Sequence, residues 1–147
     1  MPSPIEKAVE IHGHLGPHVV IGAKMALYAQ AILGTSEVSV ISEARKEPPQ
    51  GCMNDGLRAI CTEVRVSGKG RSCATFISGK NSVRISLQKG VSEKLESRLK
   101  EIRKKHGEDS VYFREVEKIG KEFETYLPEQ LFTVQGSSTH FPEGTKE

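Results

Sequence analysis

The 147-residue chain has no run of the roughly 18–20 unbroken apolar residues that a membrane span needs. Its most apolar segment, VVIGAKMALYAQAIL at 19–33, is interrupted by Lys24 and Gln30 and reads as a buried helix. The amino end, MPSPIEKAVE, lacks the basic start and apolar stretch of a secretory leader, which places the protein in the cytoplasm. Cysteine is sparse. Cys52, Cys61 and Cys73 are an odd number at wide spacing, which excludes a disulfide framework, and no CxxC pair offers a zinc knuckle. Charge of one sign is also lacking overall, with a net charge of +2, although its distribution is uneven. Seven Lys/Arg face the single acid Glu63 between Arg58 and Lys89, whereas ten face twelve Asp/Glu beyond Lys89. That basic middle could meet an anionic ligand or nucleic acid. It has no aromatic interleaving beyond Phe76, so nucleic acid ranks last among the partners. The segment SGKGRS at 67–72 lacks the spacing of a phosphate loop and joins two strands, which makes it a hairpin turn. There is no internal repeat and no redox-cofactor motif.

The residues present are those of an ordinary soluble domain, 36% hydrophobic and 27% charged, in a chain of one-domain length. Ser3, Pro4 and Glu6 predict a short helix over 3–11. Pro17 opens a second helix that is apolar on nearly every side and stops at Gly34. Its Gly22, Ala23, Ala26 and Ala29 would let another backbone come close. SEVSVIS (36–42) predicts a strand and Cys52 to Cys61 a helix. TEVRVS (62–67), SCATFIS (72–78) and SVRISLQ (82–88) then predict an antiparallel meander. Ser92 would cap a helix with Leu95, Leu99 and Ile102 on one face, ending at Gly107. Val116, Ile119, Phe123 and Leu127 mark a further helix that stops at Pro128, and QLFTVQ (130–135) is a last strand. This order predicts a single α+β domain over residues 1–136, an antiparallel or mixed sheet packed with helices, followed by a polar, flexible tail at 137–147.

Three of the five histidines, His12, His14 and His18, fall within IHGHLGPHVV (11–20). On a helix, residues two apart point to nearly opposite sides, so His12 and His14 can share an ion only from a loop or extended segment. Gly13 between them permits unusual backbone angles, and His-x-His in a loop is a plausible two-ligand arm for zinc or a similar metal. PPQGCMNDG delivers Cys52 to the start of a helix, where the backbone N–H groups and helix dipole favour a thiolate that can ligate a metal or attack an electrophile. Asp55, three residues on, shares that face and can cap its helix, orient a ligand or take a substrate proton. Cys61 and Cys73 lack this setting and read as core. His18, in a first helical turn, favours a neutral imidazole that either lines the same cleft or packs. Lys24 either snorkels or stands as a charge near a pocket.

HGHLGPHVVIGAKM followed, after one strand, by PPQGCMNDGL resembles the FmdE family of formylmethanofuran dehydrogenase proteins, over residues 5 to about 90 and more loosely near 131–134. The resemblance implies an α+β core and a metal centre, zinc in the usual reading, held by His12, His14 and Cys52 with Asp55 nearby. It also implies a homodimer, to which the small residues of the second helix would lend a close contact. Gly16 stands where many members carry a second cysteine, Arg58 stands where a glutamine often follows, and a carboxy-terminal zinc finger is missing.

Three functions compete on these residues. The first is a zinc-binding accessory protein for one-carbon or molybdenum/tungsten enzymes, with dehydrogenase subunits as partners. The second is an independent metal-dependent enzyme acting on a small anionic molecule. Asp55 and Cys52 would be catalytic there, and Lys24, Arg58 and His18 would line the ligand site. The third is a non-catalytic module that binds an anion or nucleic acid through the basic meander.

Overall fold

Ser3 and Glu6 start the first helix reciprocally. The Ser3 hydroxyl accepts from the Glu6 N–H at 3.1 Å, and the Glu6 carboxylate accepts from the Ser3 N–H at 2.8 Å. In the computed structural model, which describes residues 3–13, 15–47, 50–107 and 109–136, this helix, α1, spans Pro4–His12. Gly13, at φ 107°, ends it by donating its N–H to the Val9 carbonyl at 2.8 Å. Pro17 then opens α2 (Pro17–Leu33), and Gly34 closes it at φ 72°. Val19, Val20, Ile21, Ala23, Met25, Ala26 and Ala29 are all fully buried, so α2 is the axis around which the rest is laid.

After α2 the chain runs through β1 (Ser39–Ser42), α3 (Cys52–Ile60), β2 (Glu63–Val66), β3 (Cys73–Ser78) and β4 (Asn81–Leu87). It ends with α4 (Lys89–His106), α5 (Ser110–Glu124), α6 (Pro128–Leu131) and β5 (Phe132–Gly136). The strands make one mixed sheet in the order β2-β1-β3-β4-β5. Alternation sets its two faces. Val40, Ala74, Phe76, Val83 and Ile85 point into the core beneath α2, whereas Ile41 and Arg65, partners across β1 and β2, are exposed on the other face. This is the α+β architecture that the sequence predicts, helices over one sheet.

The meander is corrected. Strands β3, β4 and β5 are successive antiparallel neighbours, but β2 pairs in parallel with β1 and lies at the sheet edge, away from β3. The cause is α3, which packs on α2 and β2 and returns the chain to the sheet beside β1 in the same direction, as a parallel pair requires. SGKGRS is therefore no tight hairpin. It passes the end of β1, with the Gly70 and Arg71 N–H groups both donating to the Glu43 carbonyl at 2.8 and 2.9 Å. The tight turn is Gly79-Lys80, which joins the paired residues Ser78 and Asn81 with Gly79 at φ 61°.

Element ends differ for local reasons. The first strand is confined to Ser39–Ser42. Helix α4 begins at Lys89 instead of after Ser92, because the Gln88 amide before it is pinned to the Glu129 and Phe132 carbonyls at 2.9 and 3.2 Å. Helix α5 ends at Glu124, leaving Leu127 62% exposed, and Pro128 starts the short α6 where the sequence predicts a stop. Strand β5 accordingly begins at Phe132. The expected tail at 137–147 lies outside the described residues. Among those described, no helix is long and apolar enough to cross a membrane.

Candidate metal centre

Helix α3 is pressed unusually close to α2. A methyl group on Gly22 would sit 2.1 Å from the Met53 carbonyl oxygen, and one on Gly56 would sit 2.3 Å from the Val19 oxygen and 2.7 Å from the Ala23 nitrogen. Glycine at both positions lets the two backbones touch. The small-residue face of α2 is thus covered by the chain's own α3, and is not a free surface for a second copy. Helix α1 packs on both α2 and α3. The helix that ends in His12 and the helix that starts at Cys52 are therefore neighbours. Gly13 turns left-handed directly after His12. The side chain of His12 and the whole of His14 lie outside the described residues.

Cys52 is half-buried at the first position of α3. Burial, and then the charge of Asp55, push its thiol up to about 11, outweighing the opposing backbone N–H. The expected thiolate is corrected in this respect: the helix start favours the anion too weakly to offset desolvation. With its proton held so firmly, the thiol alone is a weak nucleophile. Asp55 pairs with Arg58 at 3.2 Å, one turn along the same helix, so Cys52, Asp55 and Arg58 form one continuous strip. His18 is buried one turn before Gly22, on the side of α2 that meets α3. Burial lowers its pKa from 6.5 to about 4, which leaves the neutral imidazole expected.

Lys24 is taken elsewhere. Its ammonium donates to the Glu124 carbonyl at 2.9 Å and also to the Tyr126 carbonyl, tying α2 to the end of α5. It lies two residues from Gly22, hence about 200° around the helix from the α3 contact, and the structure does not bring it to Cys52. The basic middle is likewise largely committed. Arg71 and Arg84 both pair with Glu43, Arg58 with Asp55, and Arg65 with Glu63. Cys61 and Cys73 are buried, as expected, and burial raises both thiols, Cys61 to about 12.

Sequence reasoning missed the polar frame that delivers Cys52. The Ser42 hydroxyl donates to the Asn54 side-chain oxygen at 2.5 Å, and the Asn54 amide donates to the Arg45 carbonyl at 3.1 Å. Gln50 accepts from the Arg45 N–H at 2.8 Å and reaches the Gly70 carbonyl at 3.3 Å. These bonds fix the connection from β1 to α3 at both ends. A signal was present: Asn54 occupies the stripe of Leu57 and Cys61, and a polar residue on a buried stripe needs a built-in partner.

A family model described as FmdE, molybdenum formylmethanofuran dehydrogenase operon, matches residues 11–133. Among solved structures, the chain is similar to a tungsten formylmethanofuran dehydrogenase FmdE-like protein from Syntrophus aciditrophicus. The two are 18% identical, with a TM-score of 0.56 over 92% of this chain and 71% of the other, so the likeness is one of fold. No curated protein matches.

Proposed function

This chain belongs to the FmdE family, and on that premise we propose that it is a zinc-binding accessory protein of formylmethanofuran-dehydrogenase type, with His12, His14 and Cys52 as the ligands. The observation that carries the reading is the packing of α1, which ends at His12, against α3, which begins at Cys52. Two imidazoles and one sulfur are a donor set suited to zinc, and three protein ligands leave a coordination position open. Bound there, the ion would supply Lewis acidity. The protein's own part is positional. Gly22 and Gly56 set the depth of α3, the Ser42–Asn54–Arg45 bonds fix its entry, and Asp55 stands beside the sulfur with Arg58 holding its carboxylate.

The test is metal analysis of untagged protein. One zinc per chain is expected, lost in His12→Ala and in Cys52→Ser and retained in Asp55→Ala. A wild-type chain that holds no stoichiometric metal after zinc reloading overturns the proposal. The Asp55 carboxylate next to the thiol favours a second reading, a metal-dependent enzyme with Asp55 as its acid or base. That reading requires Asp55→Ala to abolish turnover while zinc stays bound.

A further inference from the structure

Helix α2 begins in the interior without a side-chain cap. Gly16, its N-cap, has no side chain to offer, and Pro17 at the first helical position has no N–H. The Val20 N–H reaches the Gly16 carbonyl at 3.3 Å, which leaves the N–H groups of His18 and Val19 without a partner among the described residues. Neither residue is open to bulk water, since Val19 is fully buried and His18 is 6% exposed. The His18 ring adds a third orphan. Among the described residues neither of its nitrogens is hydrogen-bonded. Burial keeps the ring neutral, with one N–H to give. Helical side chains lean back towards the amino end of their own helix, so the ring is carried over the same terminus as the two backbone groups. Buried donors left unsatisfied are costly, and three of them at one point mark a seat for an acceptor.

We infer that the start of α2 seats the carboxylate of a small monoanionic ligand, one oxygen on the His18 and Val19 N–H groups and the other on the His18 ring. Backbone N–H groups repel a cation and attract an anion, and the helix terminus adds about half a positive charge. Half a charge suits a monoanion. A phosphate-type dianion would need a lysine or arginine as well, and the one lysine of α2, Lys24, is committed to the Glu124 and Tyr126 carbonyls. Two oxygens on one carbon match donors that come from two directions, the backbone and the ring. The seat requires no metal, so it stands or falls apart from the zinc reading.

The probe is sodium acetate, with sodium chloride at matched ionic strength as the control, at about pH 7.5, above the range in which histidine titrates. It is titrated into the full zinc-loaded chain and into Cys52→Ser, and read by the Val19 amide proton in NMR spectra and by Tm. A saturable downfield shift of that proton is expected, with a roughly millimolar Kd. Tm should climb with acetate, as a ligand of the folded state requires. Both effects should persist in Cys52→Ser, which separates the helix start from acetate bound to zinc. His18→Leu removes the ring donor and should weaken acetate about tenfold, while melting at or above the wild type in acetate-free buffer, because an orphan group has gone. His18→Gln restores a side-chain N–H and should recover part of the affinity. Should His18→Leu not fold, the wild-type and Cys52→Ser titrations decide alone. Three results overturn the assignment: no saturation beyond the chloride control, unchanged affinity in His18→Leu, or binding lost in Cys52→Ser. The last would place acetate on the ion and leave the zinc reading standing. Acetate bound with dependence on His18 in a chain that holds no zinc would support the seat while the metal centre falls.

Discussion

Replacing Gly56 by alanine tests the α2–α3 contact on which the candidate centre depends. In an open helix the change is favourable by roughly 1 kcal/mol, because alanine restricts the unfolded chain and suits the helix. Here the new methyl would meet the Val19 oxygen at 2.3 Å, the Ala23 nitrogen at 2.7 Å and the Gly22 carbonyl carbon at 3.1 Å. All three are backbone atoms, which cannot rotate away. The helices must part by about 1 Å, yet α2 is held between α3, the sheet and α5. Overpacking of this kind costs about 3 kcal/mol at the upper end of its usual range, leaving a net loss of about 2 kcal/mol. In a chain of this size that lowers Tm by roughly 4–8 °C. Gly90→Ala is the control, since Gly90 lies in α4 with no atom within 4 Å of its Cβ position. It should melt at or slightly above the wild type. Thermal unfolding followed by far-ultraviolet circular dichroism separates the two. The parted helices should also displace Cys52, so zinc affinity falls in Gly56→Ala only. A Gly56→Ala protein that melts at or above the wild type would refute the contact.

Other perturbations read other parts of the fold. His18 titrates near 6.5 when unfolded but only at about 4 in the folded chain, so the unfolded state binds the extra proton between those values. Its contribution is complete above pH 6.5 and is lost as pH falls towards 4, amounting to roughly 3 kcal/mol at about 1.4 kcal/mol for each pH unit. Thermal melts across that window should show a shallower fall for His18→Gln than for the wild type, and parallel curves would count against a neutral buried imidazole. Lys24→Met keeps the apolar stem but leaves the Glu124 and Tyr126 carbonyls without their donor, and should cost about 1–2 kcal/mol in denaturant unfolding. Zinc content should not change, and a loss of zinc would mean that Lys24 serves the centre after all. Asn54→Leu strands the Ser42 hydroxyl and the Arg45 carbonyl, for about 1–3 kcal/mol. It should also weaken zinc binding, because the connection into α3 loses its frame. Full zinc affinity in a destabilised Asn54→Leu chain would separate the frame from the site.

The helices were legible because their signals are local. Ser3 with Glu6, Pro17 with Gly34, and Gly107 each terminate a helix through atoms within one turn of themselves. Strand identity was legible for the same reason, since alternation is a property of five or six consecutive residues. Neighbourhood in the sheet was not. Whether β2 lies beside β1 or β3 is decided by where α3 packs, and α3 packs by the Gly22–Gly56 approach, a pairing of residues 34 positions apart that no window of sequence contains. Lys24 shows the same limit in a single side chain. A lysine in an apolar helix announces that something must receive its charge, but the receivers are carbonyls 100 and 102 residues away.

Cys52 carries the lesson to the chemistry. Its place at a helix start is a local property and matches the structure, and the inference that the thiol would therefore ionise is local too. Burial by elements distant in sequence, together with Asp55, moves it the other way. A helix terminus offers a partial charge over one turn, worth about 1 kcal/mol at most sites, whereas desolvating a thiolate draws on the whole surrounding fold. The second effect wins here. A cysteine placed for attack would need an open, electropositive setting. Cys52, half-buried beside Asp55 with its thiol pushed up, does not have that setting.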